Sequence, residues 1–291
     1  MKLAVASCAK LQHINPQPVW AEIQQARPDA LLLLGDNIYL DHDWHDDAVT
    51  LGAELRQLYA AQFAEPYFAA LMADLRARNA PLLAIYDDHD FLGNNRYGGD
   101  HHPSLRDCAR AEFIRAFNPT LTGQDVYGVH TVGNVDIVIL DERYYRQAPY
   151  VRAPGRDAIL GARQWTWFEG VLRSSAADYL VVASSTTLHT YADESWEQYP
   201  AAFDRMRALL AGRAGTLVVS GDVHRNALYD DSGVIEITTS AVARNSIIFG
   251  TPRANFGLLD FLPHGVHVDL RSRKAGWRFD VTIPRQPWEL P

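Results

Sequence analysis

A run of apolar residues meets acidic residues in the stretch IYDDHD at residues 85–90, and this stretch decides the fold class. One helix-and-strand unit earlier, residues 31–39 show the same combination as LLLLGDNIY. A third apolar run, Thr216–Ser220, leads into GDVH at residues 221–224. The carboxyl ends of strands in an open α/β sheet lie along one crevice, so the three motifs are expected to meet there. The sequence therefore predicts an α/β fold with a candidate metal site at the strand ends.

The segments around these motifs alternate between strand-like and helix-like patterns. Leu3–Ser7 and Ala30–Gly35 are apolar runs typical of strands covered on both faces, and Val19–Ala26 between them predicts a helix. This is the beginning of a βαβ unit. Two further strands are predicted at Leu82–Tyr86 and Tyr179–Ala183. The other predicted helices are Asp47–Phe63, Phe68–Arg78, Leu105–Phe117, Gln164–Arg173 and Ala201–Leu210.

Two parts of the chain show antiparallel patterns. Tyr127–Val132 and Val135–Leu140 are β-rich and are joined by Gly133-Asn134, which predicts a hairpin. After Ser220 the helical patterns stop and short strands follow: Val234–Thr239, Phe256–Phe261, Gly265–Leu270 and Trp277–Ile283. Helix-and-strand units combined with such a tail indicate a mixed-sheet α/β sandwich, with helices outside two packed sheets.

Composition excludes several classes of protein. The 291 residues are 47% hydrophobic, and no linker or repeat interrupts them, so a single domain 1–291 is expected. A net charge of −8 disfavours nucleic acid as the main partner, because phosphate backbones are held mostly by Lys and Arg. No apolar run reaches the roughly 18 residues of a membrane span. The pattern leaves the oligomeric state open.

The two cysteines predict a reducing compartment. Cys8 and Cys108 are too few for a disulfide framework, which fits the cytosol. The apolar stretch before Cys8 is too short for a secretion signal and is typical of a buried first strand. A cytoplasmic location is therefore expected, although a chain trimmed of its leader would read the same.

The chemistry of the strand ends suggests a pair of ions. Two cations held close together need a carboxylate that bridges them, and Asp36 is the candidate. Tyr39 lies three residues further on, where a phenolate would favour a hard ion such as Fe(III), and Cys8 ends the neighbouring strand. Each residue also has an ordinary interpretation: a turn for Asp36, core packing for Tyr39 and a small buried hydrophobe for Cys8. The repetition of the motif favours the metal site.

Two histidines follow predicted strands. His89 lies between Asp88 and Asp90, which can hold its imidazole in one tautomer or raise its pKa, so that it donates a proton to a leaving alkoxide. The alternative is a solvated loop at the start of a helix. His189 follows the strand Tyr179–Ala183 and is a candidate ligand or phosphate contact, or an ordinary loop histidine.

In content and order, these motifs resemble those of the PhoD-like, alkaline phosphatase D type metallophosphatases, which are distant relatives of the purple acid phosphatases. The three motifs GDxxY, DDHD and GDVH in this order form a specific signature. The matching pieces cover nearly the whole chain: Ser7-Cys8, Gly35–Tyr39, Asp87–Asp90, Leu140–Arg143, Leu160–Trp167, Ser220–His224 and Glu236–Ser240. Many relatives carry a β-domain before the catalytic part, whereas here the first motif begins at Ser7.

The resemblance implies a four-layer αββα fold with metals between the sheets. It implies two or more ions: one tightly held iron-like ion, Fe(III), and one or more Ca(II) or other divalent ions, with zinc, manganese or magnesium as alternatives. The first ion would be held by Cys8, Asp36, Tyr39 and His224, and the second by Asp36, Asp88 and Asp222. His89 would be the general acid, Arg143 a phosphate clamp whose fork matches two phosphate oxygens, and Asn94 a further substrate or metal contact.

The expected activity is metal-dependent hydrolysis of a small-molecule phosphoester, either a monoester or a diester. A metal-activated hydroxide would attack phosphorus, and His89 would protonate the departing oxygen. The alternative is a non-catalytic metal- or phosphate-binding member of the same fold. A serine hydrolase and a P-loop NTPase are disfavoured because their motifs are absent from the sequence. The rim of the pocket is expected at residues 91–99 and 144–157.

Overall fold

The computed structural model describes residues 1–41, 45–117, 125–149, 158–189, 195–231, 233–243, 254–273 and 278–285. The strands are β1 (Lys2–Ala6), β2 (Ala30–Leu34), β3 (Leu82–Ile85), β4 (Gly128–Val132), β5 (Val135–Ile139), β6 (Tyr179–Ser184), β7 (Thr216–Ser220), β8 (Ala227–Asp231), β9 (Val234–Thr238), β10 (Asn255–Leu262), β11 (Gly265–Ser272) and β12 (Arg278–Pro284). The helices are α1 (Val19–Ala26), α2 (Ala48–Phe63), α3 (Pro66–Ala77), α4 (Asp88–Phe91), α5 (Pro103–Phe117), α6 (Ala162–Ser174) and α7 (Pro200–Leu210).

Among the described residues, the strands form two six-stranded mixed sheets. The first has the order β12-β11-β10-β1-β2-β3, and its strands β1, β2 and β3 are parallel. The second has the order β4-β5-β6-β7-β9-β8, and its parallel strands are β5, β6, β7 and β9. Strands β10, β11 and β12 of the first sheet and strands β4 and β8 of the second pair antiparallel, so both sheets are mixed, as the sequence predicts.

The side chains of the strands point alternately into two apolar layers. In β2, Leu32 and Leu34 pack between the sheets, while Leu31 and Leu33 pack on the other face against α1, α2, α3 and α5. In the second sheet, Val182 and Val218 pack outward against α6 and α7. Each fully buried leucine contributes about 1.5–3 kcal/mol of transfer free energy. The result is the four-layer αββα sandwich, and this prediction is confirmed.

The helix and strand bounds differ from the predicted ones where local chemistry sets them. Helix α3 begins at Pro66 because the Glu65 carboxylate accepts the backbone N–H of Phe68 at 2.7 Å and proline suits a first turn. Strand β8 has no counterpart in the prediction, since its partly exposed residues carry no clear alternation. Trp277, predicted to begin the last strand, lies outside the described residues.

The ends of the two sheets meet on one side of the sandwich. At Gly221, which follows β7, an added Cβ would lie 2.9 Å from the Leu34 carbonyl oxygen and 3.0 Å from Ser7 Oγ. The backbone N–H of Val242 donates to the carbonyl of Ser7 at 2.9 Å. These contacts bring the carboxyl ends of β1, β2 and β7 to one place. In the described part of the chain, every helix falls short of the length and apolar character that a bilayer crossing requires.

Candidate metal centre

Two groups of metal-ligating side chains share one carboxylate at this end of the sandwich. The first comprises Cys8, Asp36 and His224, and the second comprises Asp36, Asp88 and His89. Within each group, the potential ligand atoms all lie within 4.8 Å of one another. Asp36 belongs to both groups and therefore lies where a bridging ligand would be needed.

The backbone at these positions adopts the left-handed conformation. The φ angles are 56° at Cys8, 52° at Asp36, 68° at Asp222 and 54° at His224. Such a conformation costs about 1–3 kcal/mol at a residue with a side chain, and it clusters at functional sites. Backbone hydrogen bonds stabilise these strained conformations; for example, the Ala9 N–H donates to the Asp36 carbonyl at 2.8 Å. The loops after β1, β2 and β7 thus turn sharply and bring side chains of the three segments together.

Asp36 has the contacts expected of a carboxylate that can bind a cation. Its Oδ2 accepts a hydrogen bond from the Tyr39 hydroxyl at 2.7 Å and lies 3.6 Å from Cys8 Sγ. Its Oδ1 is buried and has no hydrogen-bond partner among the described residues. Burial first, and then the charges of Asp88 and Asp87, raise the pKa of Asp36 well above its usual value. A bound cation would compensate both effects, so the residues present fit a metal centre.

Cys8 occupies a similar environment beside Asp36. Its side chain is fully buried, and burial, followed by the charge of Asp36, raises the pKa of its thiol well above the usual value. A metal ion reverses this preference, because a coordinating thiol loses its proton. The Asp222 carbonyl oxygen lies 3.8 Å from Cys8 Sγ, so the GDVH motif lies next to the end of β1.

Asp88 is held in its ionised form. Its Oδ1 accepts the backbone N–H of His89 at 2.9 Å, and its Oδ2 accepts that of Asn95 at 2.6 Å. Burial raises the pKa of Asp88, but Arg143 and His89 together with the Asn95 hydrogen bond outweigh it and lower the pKa to about 2. Asp88 therefore contributes a full negative charge to the centre at neutral pH.

The His89 ring is oriented by a backbone carbonyl. Its Nδ1 lies 3.4 Å from the Leu40 oxygen, and its ring lies against that of Tyr39, with centroids 4.2 Å apart. Among the described residues, neither Asp88 nor Asp90 is hydrogen-bonded to the ring. The predicted proton-donor role is therefore compatible with the geometry, but the neighbour that fixes the tautomer is not one of the flanking carboxylates.

Comparison with known proteins agrees with this geometry. The sequence profile of the PhoD-like phosphatases matches residues 3–249. This chain belongs to that family. The match confirms the resemblance drawn from the motifs, and with the metallophosphatase fold it supports a metal-dependent phosphoesterase, a phosphoric ester hydrolase, in general terms. No curated protein matches the chain.

Solved structures of several phosphatases share the fold of this PhoD-like chain. The structure of PhoD is 19% identical, with a TM-score of 0.77 over 99% of this chain and 70% of that one. A dimetal phosphatase from Danio rerio is 14% identical, with a TM-score of 0.59 over 98% of this chain and 99% of that one. A purple acid phosphatase from yellow lupin seeds is 14% identical, with a TM-score of 0.62 over 98% and 54%. At these identities the likeness establishes the fold alone.

Arg143 lies buried beside the acidic loop of this PhoD-like chain. Its side chain is fully buried, and its Nε donates to Asp87 Oδ1 at 2.6 Å. Its Nη1 donates to the Arg96 carbonyl at 3.3 Å, and its Nη2 lies 3.9 Å from Asp88 Oδ1. The guanidinium thus offsets the negative charge of the acidic loop. Its role as a phosphate clamp stays a prediction.

The other two predicted substrate contacts lie in different surroundings. Asn94 is exposed, donates to Asn95 Oδ1 at 3.0 Å and precedes the residue whose N–H binds Asp88, so it lies in the loop beside the centre. His189 is not brought to the metal-ligating groups: its Nδ1 lies 2.7 Å from Glu236 Oε2 and its Nε2 3.3 Å from Asp231 Oδ2. Its role as a substrate contact stays a prediction. The predicted rim beyond residue 149 lies outside the described residues.

Sequence reasoning missed Ser240 as a part of the centre. Its hydroxyl lies 3.0 Å from Cys8 Sγ and accepts the backbone N–H of His224 at 3.0 Å. Because a hydroxyl has one hydrogen and that N–H uses an acceptor site, the Ser240 O–H is available to donate to the Cys8 sulfur. Ser240 is the last residue of the Glu236–Ser240 piece that matches the family. The sequence alone, however, does not indicate which side chains a serine contacts.

Proposed function

We propose that this PhoD-like chain hydrolyses small-molecule phosphomonoesters, phosphodiesters or both, with His89 as the general acid. The observation that carries the proposal is the sharing of Asp36 between two groups of ligating side chains. Two adjacent cation sites with a common carboxylate are the arrangement that two-metal hydrolysis of phosphoesters requires. The family and the fold support the same reaction class.

We propose the two ion sites that the family resemblance implies, and the chemistry of their donors supports them. Cys8, Asp36, Tyr39 and His224 offer sulfur, phenolate and imidazole donors, a set that suits an iron-like ion. Asp36, Asp88 and Asp222 offer oxygen donors, which suit calcium, magnesium or manganese, with zinc as a further alternative. When bound, the ions supply Lewis-acid charge and a more acidic water.

The side chains of the protein supply the remaining functions. Asp36 and Asp88 bring two carboxylates into one of the ligating groups, where they would attract cations. With its Nδ1–H directed at the Leu40 carbonyl, His89 presents Nε2 as the atom that transfers a proton to the leaving oxygen. The guanidinium of Arg143 holds Asp87 and keeps the acidic loop in register.

The test combines elemental analysis with two substrates. Protein purified without chelators is analysed for iron, calcium, zinc, manganese and magnesium, and is assayed on p-nitrophenyl phosphate and bis-p-nitrophenyl phosphate. We expect close to two bound ions per chain, turnover of at least one ester and loss of turnover in Asp36→Asn. Protein that retains its ions and hydrolyses neither ester would refute the proposed activity.

A second candidate is a non-catalytic protein that kept the fold. One solved structure with this fold, 13% identical with a TM-score of 0.55, is described as GAP50, the anchor in the inner membrane complex of Plasmodium. The fold therefore occurs in a protein described by an anchoring role. The two candidates differ in the assay above: the non-catalytic protein binds ions but leaves a broad panel of phosphoesters unchanged, including activated aryl esters.

A further inference from the structure

Asp90 is a fully buried carboxylate next to the metal centre that belongs to neither ligating group. It is the last residue of the DDHD motif and lies in the short helix α4. Its side chain points away from the His89 ring and toward the loop that follows β2. A buried carboxylate costs several kcal/mol in lost hydration unless donors replace the water. The donors around Asp90 therefore indicate its role.

Hydrogen-bond donors from three separate segments converge on the two oxygens of Asp90. The backbone N–H of Asn37 donates to both oxygens at 3.1 Å, and Oδ1 also accepts from the backbone N–H of Ile38 at 3.3 Å and from the Tyr59 hydroxyl at 3.3 Å. Oδ2 accepts from the Asn37 side-chain amide at 3.2 Å and from the backbone N–H of Asp87 at 3.1 Å. Every partner is a donor, so a carboxylate with two acceptor oxygens is the group that fits.

Two of these segments carry the candidate ligands. Asn37 directly follows Asp36, and Asp87 directly precedes Asp88. The Asn37 amide also donates to the Ile85 carbonyl at 2.9 Å, which ties the same loop to the end of β3. A single carboxylate thus fixes the backbone on both sides of the gap between Asp36 and Asp88. Charge-assisted hydrogen bonds of this kind are about twice as strong as neutral ones.

We propose that Asp90 is a positioning residue, which sets the separation of Asp36 and Asp88 through the backbone and thereby the affinity of the centre for ions. The inference rests on the metal centre of the proposed function and requires no particular substrate. Outer partners of metal ligands typically change metal affinity by about 10–100-fold when they are removed. Asp90 acts one step further out, on the backbone that carries the ligands.

The decisive variant is Asp90→Asn. It keeps the volume of the side chain but replaces one acceptor oxygen by an NH₂ group, which then faces N–H donors. We expect the folded variant to bind Mn²⁺ about 10–100-fold more weakly than the wild type. The assay uses the full chain, stripped of metal and titrated with Mn²⁺ alone, with free Mn²⁺ followed by electron paramagnetic resonance.

The matched control is Glu65→Gln, the same chemical change at a buried carboxylate whose backbone donors lie outside the segments of Asp36 and Asp88. Glu65 is 2% exposed and accepts the backbone N–H groups of Gln17 at 2.9 Å and Phe68 at 2.7 Å. Both variants are expected to unfold at a lower temperature, but only Asp90→Asn is expected to change the Mn²⁺ affinity. Equal Mn²⁺ affinities in the wild type and Asp90→Asn, measured on folded protein, would overturn the proposal.

Tyr59→Phe keeps the test decisive if Asp90→Asn does not fold. It removes the Tyr59 donor and leaves the carboxylate and its backbone partners in place. A smaller loss of Mn²⁺ affinity than in Asp90→Asn, about 2–10-fold, is expected, because only one of the donors to the carboxylate is removed. An unchanged affinity in this variant would count against the proposal. A wild-type protein that binds Mn²⁺ but hydrolyses no ester would refute the proposed function and leave the role of Asp90 standing.

Discussion

Gly35 is the position at which a single added methyl group is expected to disturb the centre most directly. Its φ angle is +90°, and a Cβ built there would overlap the Cβ of Asp87 and lie 2.9 Å from the Asp87 backbone nitrogen. The positive φ costs an L-residue about 1–2 kcal/mol. The overlap adds about 1–3 kcal/mol for a packed site that has to shift. Gly35→Ala is therefore expected to lower the free energy of unfolding by about 2–5 kcal/mol.

Two other glycines separate these contributions. Gly212 has a φ angle of +78° with nothing within 4 Å of an added Cβ, so Gly212→Ala carries the backbone cost alone. Gly170 lies in α6 with open space around it, and Gly170→Ala is expected to stabilise by about 0.5–1 kcal/mol. Urea unfolding of all three variants, in protein stripped of metal, measures the order. If Gly35→Ala is as stable as Gly212→Ala or more stable, the argument that the loops of Asp36 and Asp87 are packed against each other is refuted.

Three further predictions concern side chains named above. Asp36→Asn is expected to remove bound ions together with activity, and full metal retention by elemental analysis would contradict its bridging position. His89→Ala is expected to lower turnover of alkyl esters by about 10²–10⁴ and turnover of activated aryl esters by less, because an aryl leaving group needs no proton. Equal losses on alkyl and aryl esters would exclude the acid role. His189 has a raised pKa, chiefly through its hydrogen bond to Glu236, so its stabilising contribution is complete below the ordinary value of 6.5 and is lost as pH rises through the folded-state pKa. The slope of unfolding free energy against pH in that range should be shallower in His189→Gln, and an unchanged slope would show that this ion pair does not affect stability.

The sequence was sufficient for the fold and the ligating groups because both depend on local patterns. Continuous apolar runs identify the buried parallel strands, and acidic residues directly after them must lie at the carboxyl edge of a sheet. Asp36, Asp88 and His224 could therefore be placed together before any coordinates were known. The mixed sheets and the αββα layers followed from the same alternation.

The sequence was insufficient where a side chain depends on partners far along the chain. His189 follows a strand, as the ligands do, yet it contacts Glu236 and Asp231 on the side of the second sheet where Phe203 of α7 packs. Arg143 has the chemistry of a phosphate clamp, and that role stays a prediction, but the sequence does not indicate its buried ion pair with Asp87. These contacts join residues 42 to 56 positions apart, which no local pattern encodes.

The ligands at the strand ends come from both sheets, with Cys8 and Asp36 on one and His224 on the other. An ion bound there would link the two sheets in addition to the apolar layer, the hydrogen bonds and the Arg143–Asp87 ion pair that already join them. Binding of the ion to the folded state then raises the free energy of unfolding by about 2.7 kcal/mol when the free ion is present at 100 times its dissociation constant. Protein exposed to a chelator during purification is therefore expected to unfold at a lower temperature. Its unfolding is expected to begin at the strand ends where the two sheets meet.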